Sequence, residues 1–153
     1  PDLLLLQNPQ MNSAKTHFFE GEKGVIEIYE QTLQCKEKQL LFISSQFSFS
    51  EFTTQEYEKQ YYIPTRIERG IKLYQLIFDS PACREYKRND AKQMRESRFL
   101  PEKFSFTSTA IMYDDKVAFI TGQKSFFAVM IESEEIAHMM KQIFWVTWET
   151  RPK

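Results

Sequence analysis

This sequence has little of what usually announces a chemistry. Among 153 residues there are two cysteines, Cys35 and Cys83, with no CxxC between them. Neither a disulfide framework nor a zinc ribbon can be built from that pair, and a reducing, cytoplasmic setting follows as the expectation. The two histidines, His17 and His138, belong to no HExxH pattern. No metal and no cofactor are therefore expected. Four glycines form neither a GxGxxG nor a GxxxxGK[ST] loop, so a phosphate cradle of those types is excluded. Twenty Lys+Arg against 21 Asp+Glu leave a formal charge of −1, which argues against a nucleic-acid footprint spread over the whole surface. No run approaches the roughly 18 apolar residues of a membrane span, so no membrane partner is expected.

What the sequence does have is apolar mass. Hydrophobic residues make up 42% and aromatics 15%, with 14 Phe and 7 Tyr. That is enough apolar surface to offset the ordering entropy of one domain. The opening Leu3–Leu6 run and the polar stretch Gln7–Thr16 read as the tail of an upstream helix and a linker. The domain division is thus 1–15 for the tail and 16–150 for a single domain, and the chain is expected to be a piece of a longer protein.

Hydrophobic periodicity then places the elements. His17-Phe18-Phe19 makes a short strand. Val25, Ile28, Tyr29, Thr32 and Leu33 share one face of a helix over about 22–36. Residues 39–45 form a buried strand, with a Ser- and Phe-rich loop after it. A second helix spans about 54–69, disturbed by Pro64. A strand over 71–78 follows, then a helix start at Asp79-Ser80-Pro81 with Ser80 as its cap. The charged stretch 84–98 is expected to continue as a solvated helix, with Arg84, Lys87, Arg88, Lys92, Arg95 and Arg98 on its wet side. Residues 104–113, 117–121 and 126–131 read as a β-meander. Asp114-Asp115-Lys116 turns between the first two strands. Ser133 caps a last helix with a wide apolar face. The expected fold is α/β, a mixed sheet flanked by helices on both faces, in the order β-α-β-α-β-α-β-β-β-α. The aromatics Phe126, Phe127, Trp145 and Trp148 exceed what a small core needs, so pairing through the last strand or helix is expected.

A family pattern emerges from longer stretches. They are Phe18-Phe19-Glu20-Gly21 with Gly24-Val25, Arg98-Phe99-Leu100-Pro101, Tyr113 to Ile120, Val129 to Ser133 and Ile143 to Glu149. Together they resemble the C-terminal effector domain of TrmB-type helix-turn-helix transcriptional regulators. That domain resembles half of a phospholipase D fold. The resemblance implies a ligand-sensing, dimerising domain. It implies a homodimer, a sugar-like small-molecule effector, and contact with DNA only through a separate helix-turn-helix domain not in this chain. The chain departs from the regulators in having no winged helix ahead of residue 1 and no added C-terminal β-domain.

The phospholipase D signature, His-x-Lys-x4-Asp, can be laid on these residues. With Asp114 as its Asp, Thr107 takes the His place and Thr109 the Lys place. With Asp115 instead, Ser108 and Ala110 do. Neither register supplies the nucleophile on which that chemistry runs, so a catalytically inactive domain is expected. The expected ligand-binding residues are Ser44, Ser45, Thr107, Thr109 and Asp114, near the ends of the strands. The alternatives are a structural or protein-interaction module without a small ligand, and a phosphodiesterase of phospholipase D type.

Overall fold

Leu40 and Phe42 alternate with Leu41 and Ile43 along one strand, and this alternation decides which layers the chain must build. A strand sends successive side chains to opposite faces, so apolar residues at every position demand cover on both. The computed structural model describes residues 14–44, 53–122 and 125–153. It supplies that cover with helices on the two faces of one sheet.

The strands are β1 (Lys15–Glu20), β2 (Gln39–Ile43), β3 (Lys72–Ile77), β4 (Arg95–Phe99), β5 (Thr109–Tyr113), β6 (Lys116–Thr121) and β7 (Phe127–Glu132). They lie in the order β1-β7-β6-β5-β2-β3-β4. β2, β3 and β4 run parallel to their neighbours within that trio, and every other pair is antiparallel. The sheet is therefore mixed, as the alternating first half and the closing meander led one to expect. The helices are α1 (Gly21–Thr32), α2 (Ile63–Glu68), α3 (Pro81–Lys87) and α4 (Glu134–Glu149). A π-helical stretch, Tyr57–Tyr62, runs directly into α2, and a short 3-10 turn, Ala91–Gln93, precedes β4. Among the described residues, no helix is long and apolar enough to cross a membrane.

On one face, Val25, Ile28 and Tyr29 of α1 and Tyr62 and Ile63 of the second helical segment pack on Leu40, Phe42, Leu73, Ile111, Ala118 and Met130. On the other, Ala137, Phe144 and Trp148 of α4 pack on Leu41, Leu76, Met112 and Val117. Trp145 and Trp148 meet Tyr74 edge-on at centroid distances of 5.1 and 5.6 Å. Both tryptophans are thus used within the chain's own core. The surplus apolar surface lies elsewhere on α4.

Local chemistry sets the helix ends. Ser80 accepts from the Cys83 N–H at 3.1 Å and Ser133 from the Ile136 N–H at 3.3 Å, so both expected caps are present. Gly21 turns from β1 into α1 at φ 69°, and a Cβ on Gly24 would stand 2.9 Å from Cβ of Phe19. The two glycines thus serve a turn and a close packing contact. Pro64 lies in the first turn of α2, where the π-helical hydrogen-bond pattern gives way.

The structure corrects the reading of residues 84–98. The helix ends at Lys87, and residues 95–99 form a seventh strand paired with β3. Its residues look solvated in sequence, but their partners bury them. The Arg95 side chain is fully buried, bonded to Asp90 at 2.7 Å and stacked on the Tyr86 ring at 3.4 Å. Arg98 lies over Trp148 at 4.3 Å. Arg84 and Arg88 stay exposed on α3 and its C-cap, while Arg95 and Arg98 leave the helix for the strand. Residues 104–108 are also outside the strand expected there, which begins at Thr109. α1 stops at Thr32, a turn short of the expected 36.

Candidate functional site

The antiparallel register of β5 against β2 brings two expected residues to one edge. Ile43 stands opposite Ala110, so Ser44 follows β2 beside Thr109 at the start of β5. The Ser44 N–H donates to the Leu76 carbonyl at 2.9 Å, holding it against the end of β3. Thr109 is buried and faces the α1 side with Ile111; Thr107, two residues earlier, is half-buried. Ser45 lies outside the described residues. The β5–β6 hairpin pairs Thr109 with Ile120, so Thr121 ends β6 at this same edge. The Gly21 N–H donates to the Phe126 carbonyl at 2.8 Å, which brings the first turn of α1 there too. The sequence reading missed Thr121. Its signal was the hairpin itself, because a turn at Asp114-Asp115 fixes what lies opposite Thr109.

Among the described residues, Ser44, Thr107, Thr109 and Thr121 bring hydroxyls to this edge. Asp79, just past β3, is paired with Arg84 at 2.5 and 3.0 Å, and the guanidinium holds its carboxyl below the usual range. Such hydroxyls donate and accept hydrogen bonds but bring neither a nucleophile of lowered pKa nor a base. Among the described residues, no group of three His, Cys, Asp or Glu side chains could hold a metal ion.

Asp114 does not join them. It sits at the far end of β5, five residues and about 16 Å away at the rise of a strand. Its backbone is left-handed, φ 47°, in the two-residue turn to β6. Its carboxylate accepts from the Lys36 N–H at 3.1 Å to each oxygen, from the Glu37 N–H at 3.1 Å and from Cys35 Sγ at 3.5 Å. It ties the segment after α1 to the hairpin. Burial, the largest cause, pushes the Cys35 thiol up, and the neighbouring Asp114 charge adds to that. Burial and the raised thiol pKa both disfavour the thiolate at Cys35.

A concavity opens between β1 and α1. It has a volume of about 480 Å³, and its lining includes His17, Phe19, Glu27, Gln31, Met130 and Glu132. His17 Nε2 lies 3.4 Å from Glu132 Oε1. Residues of α1 and β7 meet here, a convergence that the sequence does not display.

No protein-family model matches the sequence, and no curated protein matches it. Its fold is shared by solved structures. One is TrmBL2, an archaeal chromatin protein whose structure shows a novel mode of DNA binding, with TM-score 0.63 and 17% identity over 99% of this chain and 58% of that one. Another is NucT from Helicobacter pylori, TM-score 0.67 and 10% identity over 91% of this chain and 98% of that one. A third is Nuc from Salmonella typhimurium, a phospholipase D family member, TM-score 0.67 and 12% identity over 92% and 97%. At these identities the likeness is one of fold. The chain spans a little over half the length of the chromatin protein.

Proposed function

We propose that this chain is the ligand-sensing and dimerising domain of a TrmB-like transcriptional regulator, without catalytic activity of its own. The observation that carries the proposal is the strand edge at Ser44, Thr107 and Thr109. On a fold shared with a phospholipase D family member and with a DNA-binding chromatin protein, that edge offers hydroxyls in place of a nucleophile and a cation. A small polyhydroxylated effector of sugar type suits such a rim, since each hydroxyl can donate and accept. Contact with DNA belongs to a separate domain, and the two free cysteines suit a reducing cytoplasm.

The dimer rests on a second observation. Along α4, Met139, Ile143 and Val146 are 54, 47 and 67% exposed, and Phe18 on β1 is 69% exposed. Phe18 and Val129, which lie opposite each other, share the sheet face that α4 covers over β5 and β6. The exposed apolar surface of this face, around Phe18, is the proposed seat for the α4 of a second copy.

A thermal-shift screen against sugars, sugar phosphates and nucleotides tests the sensor. A ligand at one hundred times its Kd stabilises the fold by about 2.7 kcal/mol, a shift of a few degrees for a domain this size. The expected hit disappears in Thr107→Val or Thr109→Val and persists in a variant at Asp114. Phosphodiesterase turnover that is lost in Asp114→Asn would overturn the non-catalytic reading. A monomer by sedimentation at micromolar concentration would remove the dimer.

A further inference from the structure

The hydroxyl edge and the exposed stripe of α4 belong to different layers of the molecule. The edge receives the first turn of α1, where the Gly21 N–H donates to the Phe126 carbonyl. The stripe of Met139, Ile143 and Val146 belongs to α4, on the opposite face of the sheet. α1 spans 12 residues, about 18 Å at the rise of a helix, and ends towards the far end of the strands. There residues 35–37 meet the turn between β5 and β6.

That turn holds both layers. On the α1 side, the Asp114 carboxylate accepts from the Lys36 and Glu37 N–H groups, each at 3.1 Å. On the α4 side, the Asp115 carbonyl accepts from the N–H of Ser133, the cap of α4, at 2.8 Å. Lys141, two turns into α4, closes the ring. Its ammonium donates to the Asp114 carbonyl and to Glu37 Oε2, the latter at 2.7 Å. The Lys141 side chain is only 16% exposed, so this pair is screened less than one between two solvated side chains.

We propose that the Asp114 turn and Lys141 form the joint through which the effector edge and the dimer face act on each other. The joint rests on the sensing and dimerising reading above and adds its regulation. A shift of α1 at its first turn is carried along the helix to residues 35–37, and through Asp114 and Lys141 to the start of α4. Rigid elements and bonded networks carry energetic coupling when they have two arrangements. Here the two are Lys141 bonded to the turn and to Glu37, and Lys141 released. Coupling between two sites is reciprocal, so pairing through α4 steadies the Lys36 and Glu37 N–H groups in return. Those groups lie on the α1 side, away from the face offered to a second copy.

Amide exchange at Lys36 and Glu37 is measured on the whole chain, below and above the concentration at which sedimentation shows the dimer. In the parent, dimerisation slows it about threefold or more, and the α2 amides, on the same face but off the joint, change less. Lys141→Met keeps the alkyl stem, loses both bonds and abolishes the slowing. Glu37→Gln, which leaves α4 untouched, gives an intermediate value. A dimer that leaves Lys36 and Glu37 unchanged, full slowing in either variant, or equal slowing along α2 overturns the joint and spares the dimer. A chain that sediments as a monomer throughout overturns the joint together with the dimer it serves.

Discussion

The two flanks of the sheet solve the same problem with opposite means. At the β4 flank, charged side chains are driven inward and bonded to main-chain groups. Arg66, 1% exposed, donates to the carbonyls of Ile71 at 2.6 Å, Met94 at 3.1 Å and Gln93. Arg95, Asp90, Lys87 and Arg151 close the outer edge. At the β1 flank, five of six residues are exposed, and His17, Glu27 and Glu132 stay on the surface of an open cleft. The lesson is that an edge strand with a charged sequence can be the closed one, and an aromatic edge strand the open one. Buried charge closes an edge because a desolvated guanidinium donates to the carbonyls around it, which immobilises them.

The comparison breaks most severely at Arg66. Arg66→Met leaves the carbonyls of Ile71, Met94 and Gln93 without this donor and is expected to cost about 3–5 kcal/mol in urea unfolding. Amide protection along β4 should fall first, while that of α1 changes little. On the opposite flank, Gly24→Ala drives a methyl group into Phe19 and is expected to cost about 1–3 kcal/mol. That loss should loosen β1 and α1 and leave β4 protected. If both variants loosen both flanks equally, the two are one cooperative unit.

The smallest effect sharpens the contrast through pH. Glu58, in the π-helical stretch and 8% exposed, has its carboxyl raised above the ordinary range, chiefly by burial, with Lys59 and Arg95 pulling it back in part. A carboxyl raised in the folded state favours the fold in its protonated form. Its contribution is complete below the unfolded value of about 4.3 and is lost as pH rises through the folded value. Glu58→Gln, neutral throughout, should therefore be more stable than the parent at pH 7 and indistinguishable from it near pH 4. A difference that grew towards acid pH would contradict this reading.

The sequence made some of this legible, and the division has a physical pattern. Signals carried by one segment were read well. The caps Ser80 and Ser133, the helix face through Val25, Ile28 and Tyr29, the turn at Asp114-Asp115 and the apolar strands β2 and β3 all depend on neighbours within a turn or two. β4 was misread because Arg95-Glu96-Ser97-Arg98 carries no apolar alternation. Its buried positions are paid in bonds to Asp90, Tyr86 and Lys87, which only the folded chain brings near. Asp114 was placed with the candidate site for a similar reason. Its spacing from Thr107 and Thr109 is short in sequence, yet five residues of extended strand carry it across the sheet to Lys36 and Glu37. Ser44 and Thr109 are far apart in sequence and adjacent in the fold.

By itself the sequence determined an α/β sheet covered on both faces, because apolar alternation and 3.6-residue periodicity are local consequences of burial. It also determined that no His and no Lys stand at Thr107 and Thr109. Tertiary structure alone decided that β4 completes the sheet, that hydroxyls from β2, β5 and β6 share one edge while Asp114 serves the other, and that the residues of β1 stay exposed. Those outcomes depend on strand register and on partners distant in the chain, and neither is written in the spacing of any one segment.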